Sequence, residues 1–163
     1  FCNRKSRLMI FIGNIEAKAD DKGRVFVPAA YRKQLDSDLS IVVRKDPDNK
    51  CLMMYPRSVW ESKVQTLRSS LNEWDPRDQM ILMQFVSDAV CVEVDSQGRI
   101  LIPRKYLDEI GLKNDALFVG SVDRFALWAK DEFESSKMNA ADFAKTLREK
   151  MSSARRVDEG LGF

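Results

Sequence analysis

Two arginines, Arg24 and Arg99, each stand four residues after an aspartate, Asp20 and Asp95, inside the matching stretches DDKGRVFVPAAY (20–31) and DSQGRILIPRKY (95–106). With Gly23 or Gly98 directly ahead of the arginine, this spacing supports two kinds of chemistry. The aspartate can accept from nearby backbone amides and close a tight turn, or pair with its own arginine. The arginine can hold a carboxylate or a neighbour's carbonyl, or project its donor fork toward a phosphate or a guanine edge. Neither is catalysis. The chain has no histidine, which removes the commonest general base and metal ligand together. It also lacks a Gly-rich phosphate cradle, a nucleophile elbow and a close carboxylate cluster. We therefore assign no catalytic residue, no metal and no cofactor, and expect no small-molecule substrate.

The elements that must position these words repeat with them. Setting Gly23 over Gly98 gives an offset of 75 that pairs Val25 with Ile100, Val27 with Ile102, Pro28 with Pro103 and Tyr31 with Tyr106. After a gap that differs by two residues, CLMMYPRSVWE (51–61) lies over RFALWAKDEFE (124–134), placing Tyr55 over Trp128 and Trp60 over Phe133. Matched aromatics in a repeat point to core. Each copy reads strand, strand, helix, strand, strand. Gly23 supplies the positive φ of a turn between two strands, read as a hairpin with Val25 and Val27 on its buried face and Lys22 exposed. Pro28 and Pro103 each begin a short helix, the first of about two turns. DPDN and SVDR turn the second pair of strands in each copy.

Between the copies, Trp60, Val64, Leu67 and Leu71 share one helical face, and PRDQMILMQFVSDAV continues as a second helix. From Asp131 onward a final helix carries Phe143, Leu147 and Met151 as a stripe expected to pack on the body or on a neighbour before RRVDEGLGF frays. The fold class is α+β: a first module at 14–61, a helical connector at 62–89, a second module at 90–134 and a C-terminal helix and tail at 135–163. One such module is too small to enclose a core, so the two are expected to interlock.

No apolar run approaches the length that spans a bilayer, and FCNRKSRLMIF is not a secretory signal, so a cytoplasmic location is expected with no membrane partner. The three cysteines, Cys2, Cys51 and Cys91, are too far apart for a metal or redox motif. Cys51 and Cys91 fall in apolar strands and read as buried thiols.

The paired Asp-x-x-x-Arg words, each followed by an apolar strand and a proline, together with FIGNIEAKADDKGR near the front and GLKNDALFVGSVDRFALW near the back, resemble the bacterial MraZ family of the AbrB-like swapped-hairpin superfamily. The resemblance covers nearly the whole chain from about Met9, leaving FCNRKSRL (1–8) ahead of the pattern and Met9 as the expected natural start. It implies two tandem swapped-hairpin β-barrel modules and closed homo-oligomeric rings, octamers or dodecamers. It also implies transcriptional regulation by binding repeated double-stranded promoter elements ahead of the division and cell-wall gene cluster, hence a nucleoid association.

Charge distribution bears on that expectation. The formal balance is only +2, yet residues 1–36 hold eight basic and four acidic side chains. Lys18, Lys22 and Arg24 crowd the first word, with Arg32 and Lys33 just after it, while Glu93 and Gln97 replace the two lysines in the second. The candidate DNA contacts are thus Lys18, Lys22, Arg24 and Arg99, with Asp20, Gly23, Asp95 and Gly98 as turn residues. Arg24 is assigned to DNA; Arg99, in the milder copy, is expected mainly at a contact between modules or ring neighbours. The leading function is a DNA-binding regulator that represses its own cluster, and the rival is a ring-forming protein scaffold.

Overall fold

A computed structural model describes residues 10–160, with side chains described through residue 155. The expectations for residues 1–8, Met9, Cys2 and the end of the tail lie outside the described residues. The chain divides after Glu132 into two units, and the first holds every strand among the described residues.

The first half of that unit runs β1 (Asn14–Lys18), β2 (Arg24–Phe26), α1 (Ala29–Arg32), β3 (Ser40–Lys45) and β4 (Cys51–Pro56); α2 (Arg57–Ser69) and α3 (Pro76–Ser87) follow. The second half runs β5 (Ala89–Glu93), β6 (Arg99–Leu101), α4 (Arg104–Glu109), β7 (Asp115–Ser121) and β8 (Arg124–Ala129). The starts at 14, 24, 29 and 40 recur 75 residues later at 89, 99, 104 and 115, whereas 51 recurs 73 later at 124. The two-residue slip visible in the sequence is a shorter turn between β7 and β8.

Six strands form one antiparallel sheet in the order β1-β7-β8-β4-β3-β5, and β2 and β6 form a separate two-stranded ribbon. The outer strands are exchanged: β1 pairs with β7 of the second half, and β5 with β3 of the first. Asn14 faces Val119 in one exchange and Ala89 faces Arg44 in the other, the same two positions with the halves interchanged. The hairpins β3–β4 and β7–β8 form as the turn residues predicted.

The first hairpin differs from expectation. Its tip is present, with Asp20 N donating to Arg24 O and an isolated bridge from Ala19 to Val25. Beyond the tip β1 and β2 part, because each buries its apolar face against a strand of the other half. Local turn chemistry sets the tip, and non-local burial sets the partner.

Pro28 and Pro103 stand just ahead of α1 and α4. The first helix is one turn rather than two, since Gln34 N and Leu35 N bond back only three residues, a tighter closure that does not propagate. Val25, Val27, Ile100 and Ile102 are all buried, joining a cluster in which the rings of Phe11, Tyr31, Phe118 and Phe125 meet at 4.9–6.4 Å. Tyr31 and Tyr106 are buried, and each hydroxyl donates to the backbone just ahead of its own half's first strand, at Ile12 and Gly13 or at Asp88. Tyr55 and Trp128 are buried too, while Trp60 and Phe133 are half-buried.

Cys51 is buried, and burial pushes its thiol up to about 12. Cys91 is exposed, contrary to expectation. It lies on β5, an edge strand, and faces away from the side that buries Val92. The connector forms its two helices, with Trp60 stacked on Phe85 at 5.4 Å. Neither buries a residue fully. Met80, Ile81, Met83 and Val86 on α3 stay exposed.

The C-terminal stretch is two helices rather than one. α5 (Lys130–Ser136) ends before Asn139, whose side chain accepts from Asp142 N as α6 (Ala140–Gly160) begins, a helix-starting cap that interrupts the run. Phe143, Leu147 and Met151 each keep about half their surface exposed.

Candidate nucleic-acid interface

The exchange brings the two Asp-Arg words side by side. In the β2–β6 ribbon Arg24 faces Leu101, Val25 faces Ile100 and Phe26 faces Arg99. Because strand side chains alternate, Val25 and Ile100 point into the core. Arg24, Phe26, Arg99 and Leu101 form the outer face, arginines on one diagonal and apolar residues on the other.

Each aspartate organises its own turn. Asp20 accepts from the backbone amides of Lys22 and Arg24 at 3.0 and 2.8 Å, and from Arg24 Nε at 2.7 Å. Asp95 accepts from Gln97 N and Arg99 N at 2.9 Å and from Arg99 Nε at 3.1 Å. The carboxylate takes the inner nitrogen of the guanidinium, so the outward pair of Nη atoms is not spent on it. The backbone amide of the arginine is the largest influence holding each carboxyl below its ordinary value of 3.8, ahead of the guanidinium. Folding therefore lowers the proton affinity of both groups. Their contribution is fully present above about pH 4 and fades as pH falls through 3.8 and lower. Acidification should release the turns: the amide resonances of Lys22, Arg24, Gln97 and Arg99 are expected to shift together below pH 3.8 in a pH-series NMR measurement. Indifference of those amides to pH would contradict the lock.

Gly23 and Gly98 adopt φ of +85° and +82°. Ile102 N donates to Gly23 O and Val27 N to Gly98 O, both at 2.9 Å, so each turn glycine anchors the other half's ribbon strand. Leu107 packs against Gly23, while its counterpart Arg32 packs its guanidinium against Gly98. Arg32 Nε is buried without a hydrogen-bond partner.

Lys22 is exposed at the tip of the first turn. Arg24 and Arg99 share one face, with side-chain exposures of 36% and 21%. Arg99 also lies at the contact between halves, its guanidinium 5.9 Å from the Phe26 ring centroid. Lys18 is exposed but directed elsewhere: it pairs with Asp115 across the β1–β7 exchange. Sequence reading missed Phe26 and Leu101, exposed by 57% and 58%. The signal was available, since a strand that buries positions 25 and 27 turns 24 and 26 outward. It also missed Arg104, whose Nη2 donates to Asp21 O beside the first turn.

A sequence model of the family described as "MraZ protein, putative antitoxin-like" matches residues 10–83 and again 85–153, one match to each half. The chain belongs to the MraZ family. It is 45% identical over 150 residues to the Transcriptional regulator MraZ of Bacteroides thetaiotaomicron, covering 91% of this chain and 96% of that one. The protein of the same name from Bacteroides fragilis is 44% identical over 149 residues, 90% of this chain and 94% of its own. That of Pelotomaculum thermopropionicum is 36% identical over 154 residues, 94% and 99%. A transcriptional regulator is not an enzyme class. Among the described residues no helix is long and apolar enough to cross a membrane, and no group of metal-ligating side chains converges.

Proposed function

We propose that this MraZ-family chain is a DNA-binding transcriptional regulator whose contact surface is the outer face of the β2–β6 ribbon. The observation that carries the reading is the convergence of Arg24 and Arg99 on that one face, each oriented by its own aspartate. Lys22 and Arg32 add positive potential beside the turns, whereas Lys18, paired with Asp115 across the β1–β7 exchange, is left off this surface. We assign both arginines to DNA on the ground that the interchange of halves puts them in equivalent positions. Arg99 serves the contact between halves as well.

The exchanged strands support two tandem AbrB-like swapped-hairpin modules, 14–61 and 90–134, joined by the connector at 62–89 and followed by a C-terminal segment at 135–163. The exposed apolar side chains of α3 and the stripe on α6 support self-assembly, read as a closed octameric or dodecameric ring. A ring repeats a modest basic surface, so several promoter elements are held at once and affinity multiplies. The protein is then cytoplasmic, nucleoid-associated, and a repressor of its own division and cell-wall gene cluster.

Phosphate contacts release counterions, so affinity for a duplex from the chain's own upstream region should fall steeply with salt. A loss on the order of a thousandfold is expected between about 50 and 200 mM. Absence of binding at low salt would reject the DNA reading. Retained assembly with affinity for an acidic protein would then favour the scaffold.

A further inference from the structure

We propose that Phe26 and Leu101 are specificity-determining residues that meet thymine C5-methyl groups in the major groove, between the contacts made by Arg24 and Arg99. This deepens the DNA reading and rests on it. Both residues occupy the same position of the repeated word, and both leave more than half their surface exposed, 57% and 58%. Their immediate neighbours Val25, Val27, Ile100 and Ile102 are at most 1% exposed, so the outward placement follows from the strand register and is not a failure of packing. Single exposed apolar residues are common on protein surfaces. Two at matched positions, alternating with two aspartate-held arginines on one four-cornered face, are a patterned surface.

The pattern fits one occupant. A major groove about 12 Å wide admits a two-stranded ribbon, and its floor offers the thymine methyl as its apolar group. Neutralising phosphates alone would gain nothing from phenylalanine or leucine on the same face. The arginines on the other diagonal supply the charge complementarity that commits the surface to DNA, and Arg99 over the Phe26 ring limits where that ring points. The two corners are unequal, phenylalanine in one half and leucine in the other. Lys22 and Gln97 differ in the same sense at the two tips. The ribbon is therefore directional and suits an element that reads differently along its two strands.

The test compares parent and Phe26→Ala/Leu101→Ala proteins on two duplexes from the upstream region, identical except that deoxyuridine replaces thymidine within the protected sequence. Removing a methyl that the parent buries should weaken its binding by roughly three- to fivefold per methyl. The double variant should bind both duplexes alike, with the parent's salt slope and native mass. The single variants, Phe26→Ala and Leu101→Ala, should each keep part of the methyl sensitivity. A double variant as sensitive to deoxyuridine as the parent would overturn the proposal. So would a parent that binds the two duplexes equally, or a variant whose defect is a changed native mass. Failure of the parent to bind either duplex at low salt would instead defeat the DNA reading beneath it.

Discussion

Gly23→Ala is expected to cost the folded state about 3–5 kcal/mol, whereas Gly98→Ala should cost about 1–2. The two glycines share nearly the same φ, +85° and +82°, so the penalty of placing a Cβ in the left-handed region is common to both. What differs is the neighbour. A Cβ at Gly23 would lie 2.6 Å from the carbonyl oxygen of Ile102. That is backbone, and Ile102 N is itself bonded to Gly23 O, so the turn cannot shift without pulling the other half's ribbon strand. A Cβ at Gly98 would instead meet the guanidinium of Arg32, the end of a flexible side chain whose buried Nε has no hydrogen-bond partner to hold it. Since natural stabilities lie at about 5–15 kcal/mol, the first variant loses a large share of its margin and the second does not. Denaturant midpoints measured at one protein concentration check the difference; equal losses would mean that the Ile102 carbonyl yields freely.

The other large effect concerns binding. Arg24→Ala/Arg99→Ala should leave the assembly's mass unchanged and weaken promoter binding by about 2–6 kcal/mol per ribbon if both arginines read base edges, each single variant giving about half. If they touch phosphate instead, the salt slope falls by about one per contact removed. Arg24→Lys is the informative partner. Asp20 takes Nε at 2.7 Å and does not engage the planar Nη pair, an arrangement one ammonium cannot reproduce because it has a single nitrogen for both tasks. The lysine variant should therefore bind nearly as poorly as alanine although its charge is kept. Size analysis followed by binding across a salt series separates the outcomes. An Arg99→Ala protein that disassembles while Arg24→Ala only loses DNA would assign Arg99 to assembly, the division its milder surroundings first suggested.

Much of this surface is legible in the letters. The offset of 75, the slip of two, the burial of positions 25, 27, 100 and 102 and the helix starts after Pro28 and Pro103 all follow from rules acting over a few residues. The destination of β1 does not. Asp20 and Gly23 announce a turn, but whether the strand ahead of it pairs with the strand behind depends on which apolar face lies a hundred residues away. Cys91 illustrates the same limit on a smaller scale, since its run is apolar and only its place on an edge strand exposes it. The break at Asn139 rests on one capping side chain, a signal weaker than the apolar stripe that follows it and that alone suggests a single helix. Phe26 was hidden by its own neighbours, whose apolar character made the whole word look like core.

Strand exchange also orders events in time. Residues 14–18 pair with residues 115–119, so the first strand leaves the ribosome about a hundred residues ahead of its partner. At about 5–20 residues per second that is a wait of roughly 5–20 seconds. Throughout it the first half has its own β3–β4 hairpin to form but lacks β7 beside β1, and for the first part of it, until residue 93 has been made, it lacks β5 beside β3 as well. Contacts of such long separation close late, after much chain entropy has been lost. A neighbouring nascent chain carries the same vacant positions with the same register, so crowded synthesis of this protein offers each first half a second, wrong partner before the right one has been made.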